Sequence, residues 1–323
     1  MNVLIITNKE DITSDFIVRE LTLQNIPFFR LNTEEIGSSI HISLDLCANK
    51  HHFFDTPSGK SFCLSSFSAV YFRRPEIRLH VTDTKPAEEQ FLRNELFYVL
   101  EGIYTLLNNA FWLNHVDKIR SAENKVYQLI IATENGFQVP SSLITDQQLS
   151  ALKFYNEHNE HCIIKTVRSG LIDPGNDELV IFTNRLTLDE INSQRINNFP
   201  VYIQKLITKK FDLRVTVVGK TVFAARIDSQ YKEESKIDWR NSSVPLEHST
   251  YHLPKDICDN CIALTKSLGL NFGAIDLVVD EKDNYYFLEI NPNGQWAWLE
   301  KRLGFPISKE ITKLLTENAD QSS

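Results

Sequence analysis

The stretch FLEINPNGQW, residues 287–296, begins as an apolar strand and ends as a turn. Glu289 and Asn291 are two residues apart, so a strand places both on one face, with Leu288 and Ile290 on the other. An acid and an amide therefore line one face of a strand that otherwise has a core-like composition.

The stretch GAIDLVVDEKDN comes immediately before this strand and predicts a β-hairpin with it, turning at about residues 281–284. In one register Asp276 lies opposite Glu289, and with a tighter turn it faces Asn291; both registers put the three side chains on one face. Neighbouring carboxylates repel unless a cation lies between them, and such oxygens suit Mg²⁺. The alternative is a solvated polar face on an edge hairpin.

Basic residues in the middle of the chain could meet a polyanion held by such a metal. Lys165 is the only charge in the apolar strand CIIKTV, and Lys125 lies in a helix with apolar neighbours. A lysine in such a place either reaches water or binds an anion. The stretch TVRSGLIDPG follows Lys165, and its Ser169 and Gly170 could cover phosphates through backbone N–H groups, although the P-loop spacing is missing.

Two arginines flank a turn in FDLRVTVVGKTVFAARID. Pairing about that turn sets Arg214 nearly opposite Arg226, and two facing arginines would share an anion such as phosphate. The alternative is that Asp212 and Asp228, each two residues from an arginine, form ordinary salt bridges. Taken together, the acidic face, the lysines, the arginines and the Gly-Ser loop are typical of a site for Mg-ATP.

The composition limits the classes of protein that fit. The chain has 323 residues, 42% of them hydrophobic, and a net charge of −8, which fits an ordinary globular protein and gives no reason to expect nucleic-acid binding. Its first residues read as a strand rather than a secretion signal, and no stretch is long and apolar enough to span a bilayer. We therefore predict a cytoplasmic protein with neither membrane nor nucleic-acid partner.

The cysteines and histidines give little sign of chemistry. Five cysteines, an odd number, argue against a disulfide framework, and Cys258 and Cys261 form a CxxC within a predicted amphipathic helix. Without a second ligand pair at zinc spacing, these two are predicted to be buried helix thiols. The adjacent His51 and His52 are assigned surface or packing roles.

The order of predicted elements indicates a mixed α/β and α+β fold in three domains. Residues 1–113 form an α/β domain with a three-run meander and a long closing helix, and residues 114–190 form a small α+β module. Residues 191–323 are rich in strands interrupted by helices, which is typical of a largely antiparallel sheet.

The sequence resembles the ATP-grasp ligases, and within them the microviridin-type macrocyclases, also called graspetide synthetases. The motifs that carry the resemblance occur in the family's order: YFRRP at 71–75, NK at 124–125, IIK at 163–165, VYIQKLI at 201–207, DLRVTVVG at 212–219, IDWR at 237–240, GAIDL at 273–277 and LEINPNGQW at 288–296. The resemblance implies the ATP-grasp fold, with an N-terminal pre-ATP-grasp domain, a central subdomain and a C-terminal subdomain.

The resemblance also assigns roles to individual residues. Magnesium would be held by Asp276, Glu289 and Asn291. The nucleotide would be bound by Lys125, Lys165, Ser169, Gly170, Gln204, Lys205, Leu206, Asp212 and Arg214. Arg214 and Arg226 would steady the transferring phosphate. Asp238 and Arg240 would flank the acceptor, although DWRNSSVP also reads as a plain turn.

The implied chemistry is ligation driven by ATP. A substrate carboxylate attacks the γ-phosphate to give an acyl phosphate, and an amine or hydroxyl then displaces phosphate. In this family the substrate is a ribosomally made precursor peptide with a leader and a core, and relatives commonly pair as homodimers. LIDPGNDELVIFT, residues 171–183, is the candidate leader surface, and Arg73 and Arg74 either attract an acidic core or form salt bridges within their own domain.

Two other functions remain open at this stage. One is a ligase of the same superfamily that adds free amino acids to a protein or peptide, since its ATP residues would be the same. The other is a nucleotide-binding protein without catalysis.

Overall fold

The computed structural model describes residues 2–167, 171–172, 179–180, 182–193 and 195–319. Two compact units make up the chain: the first comprises residues 1–119, 270–272 and 293–323, and the second comprises residues 120–269 and 273–292. The predicted boundaries at 113 and 190 stay predictions. No helix in the described part of the chain is long and apolar enough to cross a membrane.

The first unit opens with alternating strands and helices. Its elements, in chain order, are β1 (Val3–Thr7), α1 (Ile12–Leu23), β2 (Phe28–Asn32), β3 (Ile40–Asp45), β4 (Lys50–Asp55), β5 (Lys60–Cys63), β6 (Ala69–Phe72), α2 (Pro86–Leu106), β7 (Phe111–Leu113) and α3 (Val116–Ala122), the last of which runs into the second unit. A parallel sheet has the order β2-β1-β6-β7, and β3-β4-β5 form an antiparallel meander. The predicted opening and meander are confirmed; β7 was not predicted, because three residues show no alternation.

The second unit carries the antiparallel sheets. Its elements are α4 (Lys125–Glu134), β8 (Ser142–Thr145), α5 (Gln148–Glu157), β9 (Cys162–Lys165), β10 (Leu171–Ile172), β11 (Leu179–Val180), β12 (Asn184–Arg185), α6 (Leu188–Asn192), β13 (Val201–Lys205), β14 (Lys209–Val218), β15 (Thr221–Ile227), β16 (His248–Thr250), α7 (Lys255–Ser267), β17 (Phe272–Asp280) and β18 (Tyr285–Asn291). The sheet orders are β12-β9-β13-β8, β16-β15-β14-β17-β18 and the pair β10-β11. The prediction of a largely antiparallel C-terminal sheet is confirmed by the β14–β15, β15–β16 and β17–β18 pairings.

The sequence predicts one helix across KIRSAENKVYQLIIATENG, but the structure breaks it between α3 and α4. The cause is Asn124, whose side chain accepts a hydrogen bond from the Tyr127 N–H and caps the start of α4. Lys125 is consequently the first residue of its helix.

The C-terminal residues return to the first unit as α8 (Ala297–Leu303) and α9 (Ile307–Ala319). Trp296 is fully buried there, with its ring edge-to-face on Phe16 at 5.9 Å between centroids. The apolar face of α9 is buried as well, including Ile311 and Leu315.

Arg73 joins this returning segment to the parallel sheet within the first unit. Its guanidinium is 2% exposed and donates to Asp11, Thr13, the carbonyls of Asn293 and Gly294, and the side-chain oxygen of Gln295. All five N–H donors of the group are thereby used. Of the two alternatives for Arg73, the structure favours salt bridging within its own domain.

Candidate active site

The C-terminal hairpin, β17 with β18, brings the predicted acids together. Asp276 pairs directly with Glu289, and Asn291 pairs with Ala274. The first predicted register is therefore confirmed, and the alternative with Asp276 opposite Asn291 is wrong. Alternation keeps Asn291 on the face of Glu289.

One detail of this hairpin differs from the prediction. The pairing shifts after Asp276, so that Leu277 pairs with Phe287 and Leu288 becomes the extra residue of a bulge. Leu288 lines the same cleft as Glu289, so its predicted place on the opposite face is wrong. Strict alternation fails here because a bulge inserts a residue that the sequence pattern does not mark.

The cleft above this hairpin lies entirely in the second unit. It is lined by Ile163, Lys165, Thr183, Gln204, Asp212, Ile237, Asp238, Trp239, Arg240, Asp276, Leu288 and Glu289. Strands from both larger sheets contribute, so side chains far apart in the sequence face one space. Apolar and charged groups together suit a ligand that is partly apolar and partly anionic.

Glu289 lies at the centre of the charged part of the cleft. One carboxylate oxygen, Oε2, lies 3.1 Å from Lys125 Nζ, and the other, Oε1, lies 3.5 Å from Arg240 Nη1. Burial by itself would raise the pKa of this carboxyl, but Lys125, Lys165 and Arg240 outweigh it and lower the pKa to about 2. Glu289 is therefore ionised at any physiological pH, as a metal ligand must be.

Asp276 is held by Arg214 from the neighbouring strand. Arg214 Nη1 lies 2.9 Å from both carboxylate oxygens of Asp276. Burial raises the pKa of Asp276, and Arg214 opposes that rise. Arg214 Nε is buried and has no hydrogen-bond partner among the described residues.

Arg226 does not face Arg214, and the prediction of a facing pair is wrong. Arg214 pairs with Ala225, and Arg226 pairs with Leu213, so the two guanidinium groups leave opposite faces of the sheet. The tight Gly219–Lys220 turn makes every pair sum odd, and two even-numbered residues cannot then be opposite each other.

On its own face Arg226 forms a local contact. Its Nε is 2.7 Å from an Asp228 oxygen, and its guanidinium lies 4.3 Å from the Phe211 ring centroid. The salt bridge between Arg226 and Asp228, one of the alternatives at this position, is confirmed. The phosphate role that the resemblance assigned to Arg226 has no support from the geometry.

Asp212 makes its salt bridge with Lys209 rather than with Arg214. Lys209 Nζ lies 2.8 Å from the Asp212 carboxylate and also donates to the Ile237 carbonyl at 3.1 Å. Ser229 completes the shell by donating its hydroxyl to the other Asp212 oxygen. Burial raises the pKa of Asp212, and Lys209 opposes it.

Asp238 and Arg240 form a rigid pair at the rim. Asp238 begins a short 3₁₀ helix and accepts bonds from Arg240 Nε at 2.9 Å and Nη2 at 2.8 Å. Burial would raise the pKa of Asp238, but these bonds outweigh it and lower the pKa. The loop is thus a turn, which was one of the two predictions for DWRNSSVP, and it also places Arg240 beside Glu289.

The remaining predicted nucleotide residues fall into three groups. Lys165 and Gln204 line the cleft. The backbone N–H groups of Lys205 and Leu206 donate within the sheet, to Ser141 and His161 carbonyls, so they are not free to bind a ligand. Ser169 and Gly170 lie outside the described residues, as does most of the candidate leader surface at 171–183.

Gln128 is a structural residue of the site that no sequence pattern predicted. Its amide donates to the Ile290 carbonyl at 2.8 Å and accepts from the Ile290 N–H at 3.0 Å. Gln128 follows Lys125 by three residues on α4, and Ile290 separates Glu289 from Asn291 on β18. One buried amide therefore ties the helix that carries the lysine to the strand that carries the proposed metal ligands.

The cleft fits a nucleotide with magnesium. No group of three His, Cys, Asp or Glu side chains forms a self-contained metal cage in the described ranges. Two facing carboxylates with an amide oxygen nearby suit Mg²⁺, which completes its shell with phosphate and water. Lys125, Lys165, Arg214 and Arg240 surround those acids and would offset the charge of phosphates.

Known families match the two parts of the chain. The MvdD pre-ATP grasp domain matches residues 2–120, and the RimK-like ATP-grasp domain matches residues 122–315. The second match covers more than half of the chain, and this protein belongs to the RimK-like ATP-grasp family. The predicted fold class and superfamily are confirmed.

Two solved structures are similar to this chain over almost its whole length. The structure of macrocyclase MdnC bound with precursor peptide MdnA, from Microcystis aeruginosa, is 27% identical with a TM-score of 0.86, covering 98% of this chain and 100% of that one. A RiPP-associated ATP-grasp ligase of Chryseobacterium gregarium, in complex with ADP and a leader and core peptide, is 28% identical with a TM-score of 0.89, covering 98% and 96%. The predicted resemblance to the microviridin-type macrocyclases is confirmed.

A further relative is a probable ligase. The probable alpha-L-glutamate ligase of Histophilus somni is 22% identical over 205 residues, which is 63% of this chain and 66% of that protein. The chain thus spans about two thirds of this relative's length.

Proposed function

We propose that this protein is an ATP-dependent ligase that activates Asp or Glu side chains of a ribosomally made precursor peptide. The activated carboxyl is joined to a hydroxyl or amine side chain of the same peptide, which gives an ester or amide crosslink. The single observation that carries the proposal is the convergence of Asp276, Glu289 and four cationic side chains around one cleft.

The roles of the residues follow from their charges and contacts. Asp276, Glu289 and Asn291 would hold magnesium, which when bound neutralises phosphate charge and orients the transferring group. Lys125 and Lys165 would bind phosphate oxygens. Catalysis in such a site is positioning and charge neutralisation, so no nucleophilic side chain is required.

Arg214 and Arg240 are suited to the charge that develops on the transferring phosphate. Arg214 contacts Asp276 through its Nη1, and Arg240 lies at the rim, with its side chain 49% exposed. The hydrogen bonds from Arg240 to Asp238 hold the Arg240 side chain in one orientation. Arg240 can therefore bind a substrate that enters from solvent without first changing rotamer.

The peptide substrate is supported by the relatives. Two of the solved relatives, at 27% and 28% identity, are in complex with peptides, one with the precursor MdnA and one with a leader and core peptide. We also propose a cytoplasmic location, which agrees with five free cysteines, since a reducing compartment keeps thiols unpaired.

The test is incubation with ATP, Mg²⁺ and a candidate precursor rich in Thr, Ser or Lys together with acidic residues. Mass spectrometry should show the loss of one water mass per bond, with ADP released in step. A gain of whole amino-acid masses would instead establish the free amino-acid ligase, which the glutamate-ligase relative resembles. If the protein bound ADP·Mg but turned over no peptide, the result would favour a nucleotide-binding protein without catalysis.

A substitution pair ties the activity to the metal site. Glu289→Gln keeps the shape of the side chain but removes its charge, so turnover should fall roughly 100-fold. The matched control is Asp283→Asn on the same hairpin, because the Asp283 side chain is 74% exposed and forms a salt bridge with Lys210 at the surface. Full activity of Glu289→Gln would contradict the metal role.

A further inference from the structure

A buried polar chain runs behind Lys165 within the second unit. Tyr202 and Gln204 are two residues apart on β13, and each is 1% exposed. Tyr202 pairs with Lys165 of β9, and Gln204 pairs with Ser142 of β8. Pairs directly opposite each other share a face, so all four side chains lie on one face of the sheet.

The contacts along this face are continuous. Lys165 Nζ lies 3.5 Å from Gln204 Oε1 and 5.7 Å from the centroid of the Tyr202 ring. Gln204 Nε2 donates to the hydroxyls of Ser142 and Tyr202, both at 2.9 Å. The Ser142 hydroxyl donates in turn to the Pro140 carbonyl at 2.8 Å.

Donor and acceptor capacities fix the orientation of the central amide. An ammonium group has no lone pair, so only the oxygen of Gln204 can face Lys165. Its NH₂ group must then meet the two hydroxyls, and Ser142 can accept because its own proton goes to Pro140. A flipped amide would set its NH₂ against the Lys165 ammonium and lose the hydrogen bond between Lys165 and Gln204.

The lysine gains most from this arrangement. A lysine side chain has several rotatable bonds, and ordering it on ligand binding costs affinity. Gln204 Oε1 gives the ammonium a fixed acceptor, and the Tyr202 ring gives it an aromatic face. The ammonium is thereby held beside the cleft that Lys165 and Gln204 line.

We propose that the Ser142 and Tyr202 hydroxyls are positioning groups that fix the Gln204 amide, and through it Lys165, for the nucleotide. Neither Ser142 nor Tyr202 is among the described residues that line the cleft, so both act only through Gln204 and Lys165. The inference rests on the proposed function, because it takes the occupant of the cleft to be a nucleotide.

Binding of ADP with Mg²⁺, measured by calorimetry, tests the role. Ser142→Ala and Tyr202→Phe should each raise the Kd about threefold to tenfold, as expected for one long side chain that is no longer preordered. Ser142→Thr keeps the hydroxyl on an edge strand and should restore the wild-type Kd. Tyr155→Phe is the matched control, because Tyr155 is a buried tyrosine of the same unit that lies outside this chain of contacts.

A double-mutant cycle separates positioning from general stability. If Ser142 acts through Lys165, then Ser142→Ala should add no further loss of affinity in a Lys165→Met background. A structural defect would instead weaken binding equally in both backgrounds. Additive losses, or a Kd within twofold of wild type for both single variants, would overturn the positioning role. The proposed function would still stand in that case, provided that the wild type binds ADP·Mg. Absence of ADP·Mg binding by the wild type would overturn both.

Discussion

Gln128 offers a sharp test of how the site is held together. β18 is the edge strand of its sheet, so the N–H and carbonyl of Ile290 have no sixth strand to pair with. The side-chain amide of Gln128 satisfies both groups, and Gln128 also donates to the Ala122 carbonyl. The amide is 3% exposed, so water cannot replace it without local opening.

Gln128→Met keeps the length and removes every polar contact. Three hydrogen bonds at about 1 kcal/mol each give a loss of roughly 3 kcal/mol in the free energy of unfolding of the second unit. The Ile290 amide alone should lose about 1 to 3 kcal/mol of protection, which is a roughly 5- to 150-fold faster hydrogen exchange.

Hydrogen exchange with mass spectrometry on peptides covering residues 287–292 measures this directly. Gln148→Met serves as control, because Gln148 has only peripheral contacts with Asn192 and Asn197. Unchanged exchange at residue 290 in a folded Gln128→Met variant would refute the reasoning, since the amide would then not be what protects that peptide group.

Three other outcomes are expected. Arg73→Lys keeps the charge but loses the planar fork that holds Asp11 and the returning loop, so urea unfolding should show a loss of about 3 kcal/mol; a loss below about 0.5 would contradict this. Burial lowers the pKa of Lys165 from 10.5 to about 8, so the unfolded chain binds that proton more tightly. Wild-type stability relative to Lys165→Met should therefore rise between pH 8 and 10.5, measured by urea unfolding at each pH, and a flat difference would argue against burial of the charge. Cys47 is exposed and should react first with a thiol reagent, whereas Cys261 is buried, with burial raising its pKa, and should react only on unfolding; equal rates would contradict its position in α7.

The sequence predicted part of the local strand geometry near the site. Alternation put Asp276, Glu289 and Asn291 on one face but left two registers open. The structure pairs Asp276 with Glu289 only through the bulge, because Leu277 pairs with Phe287 nearer the turn. The same reasoning failed by one residue for Arg214 and Arg226, because a shift of one position moves a side chain to the other face. The prediction for Leu288 was also wrong, because a bulge inserts a residue that the alternation of the sequence does not reveal.

The sequence by itself determined the α/β opening, the antiparallel hairpins and the acidic face, because these follow from the two- and 3.6-residue periods of strand and helix. Only the tertiary structure decided which groups meet those acids and the strand that carries them: Arg214 and Asp276 are 62 residues apart, and Gln128 and Ile290 are 162 apart. Such contacts depend on how sheets and helices pack against one another, and no spacing along the chain encodes that packing in a form that can be read locally.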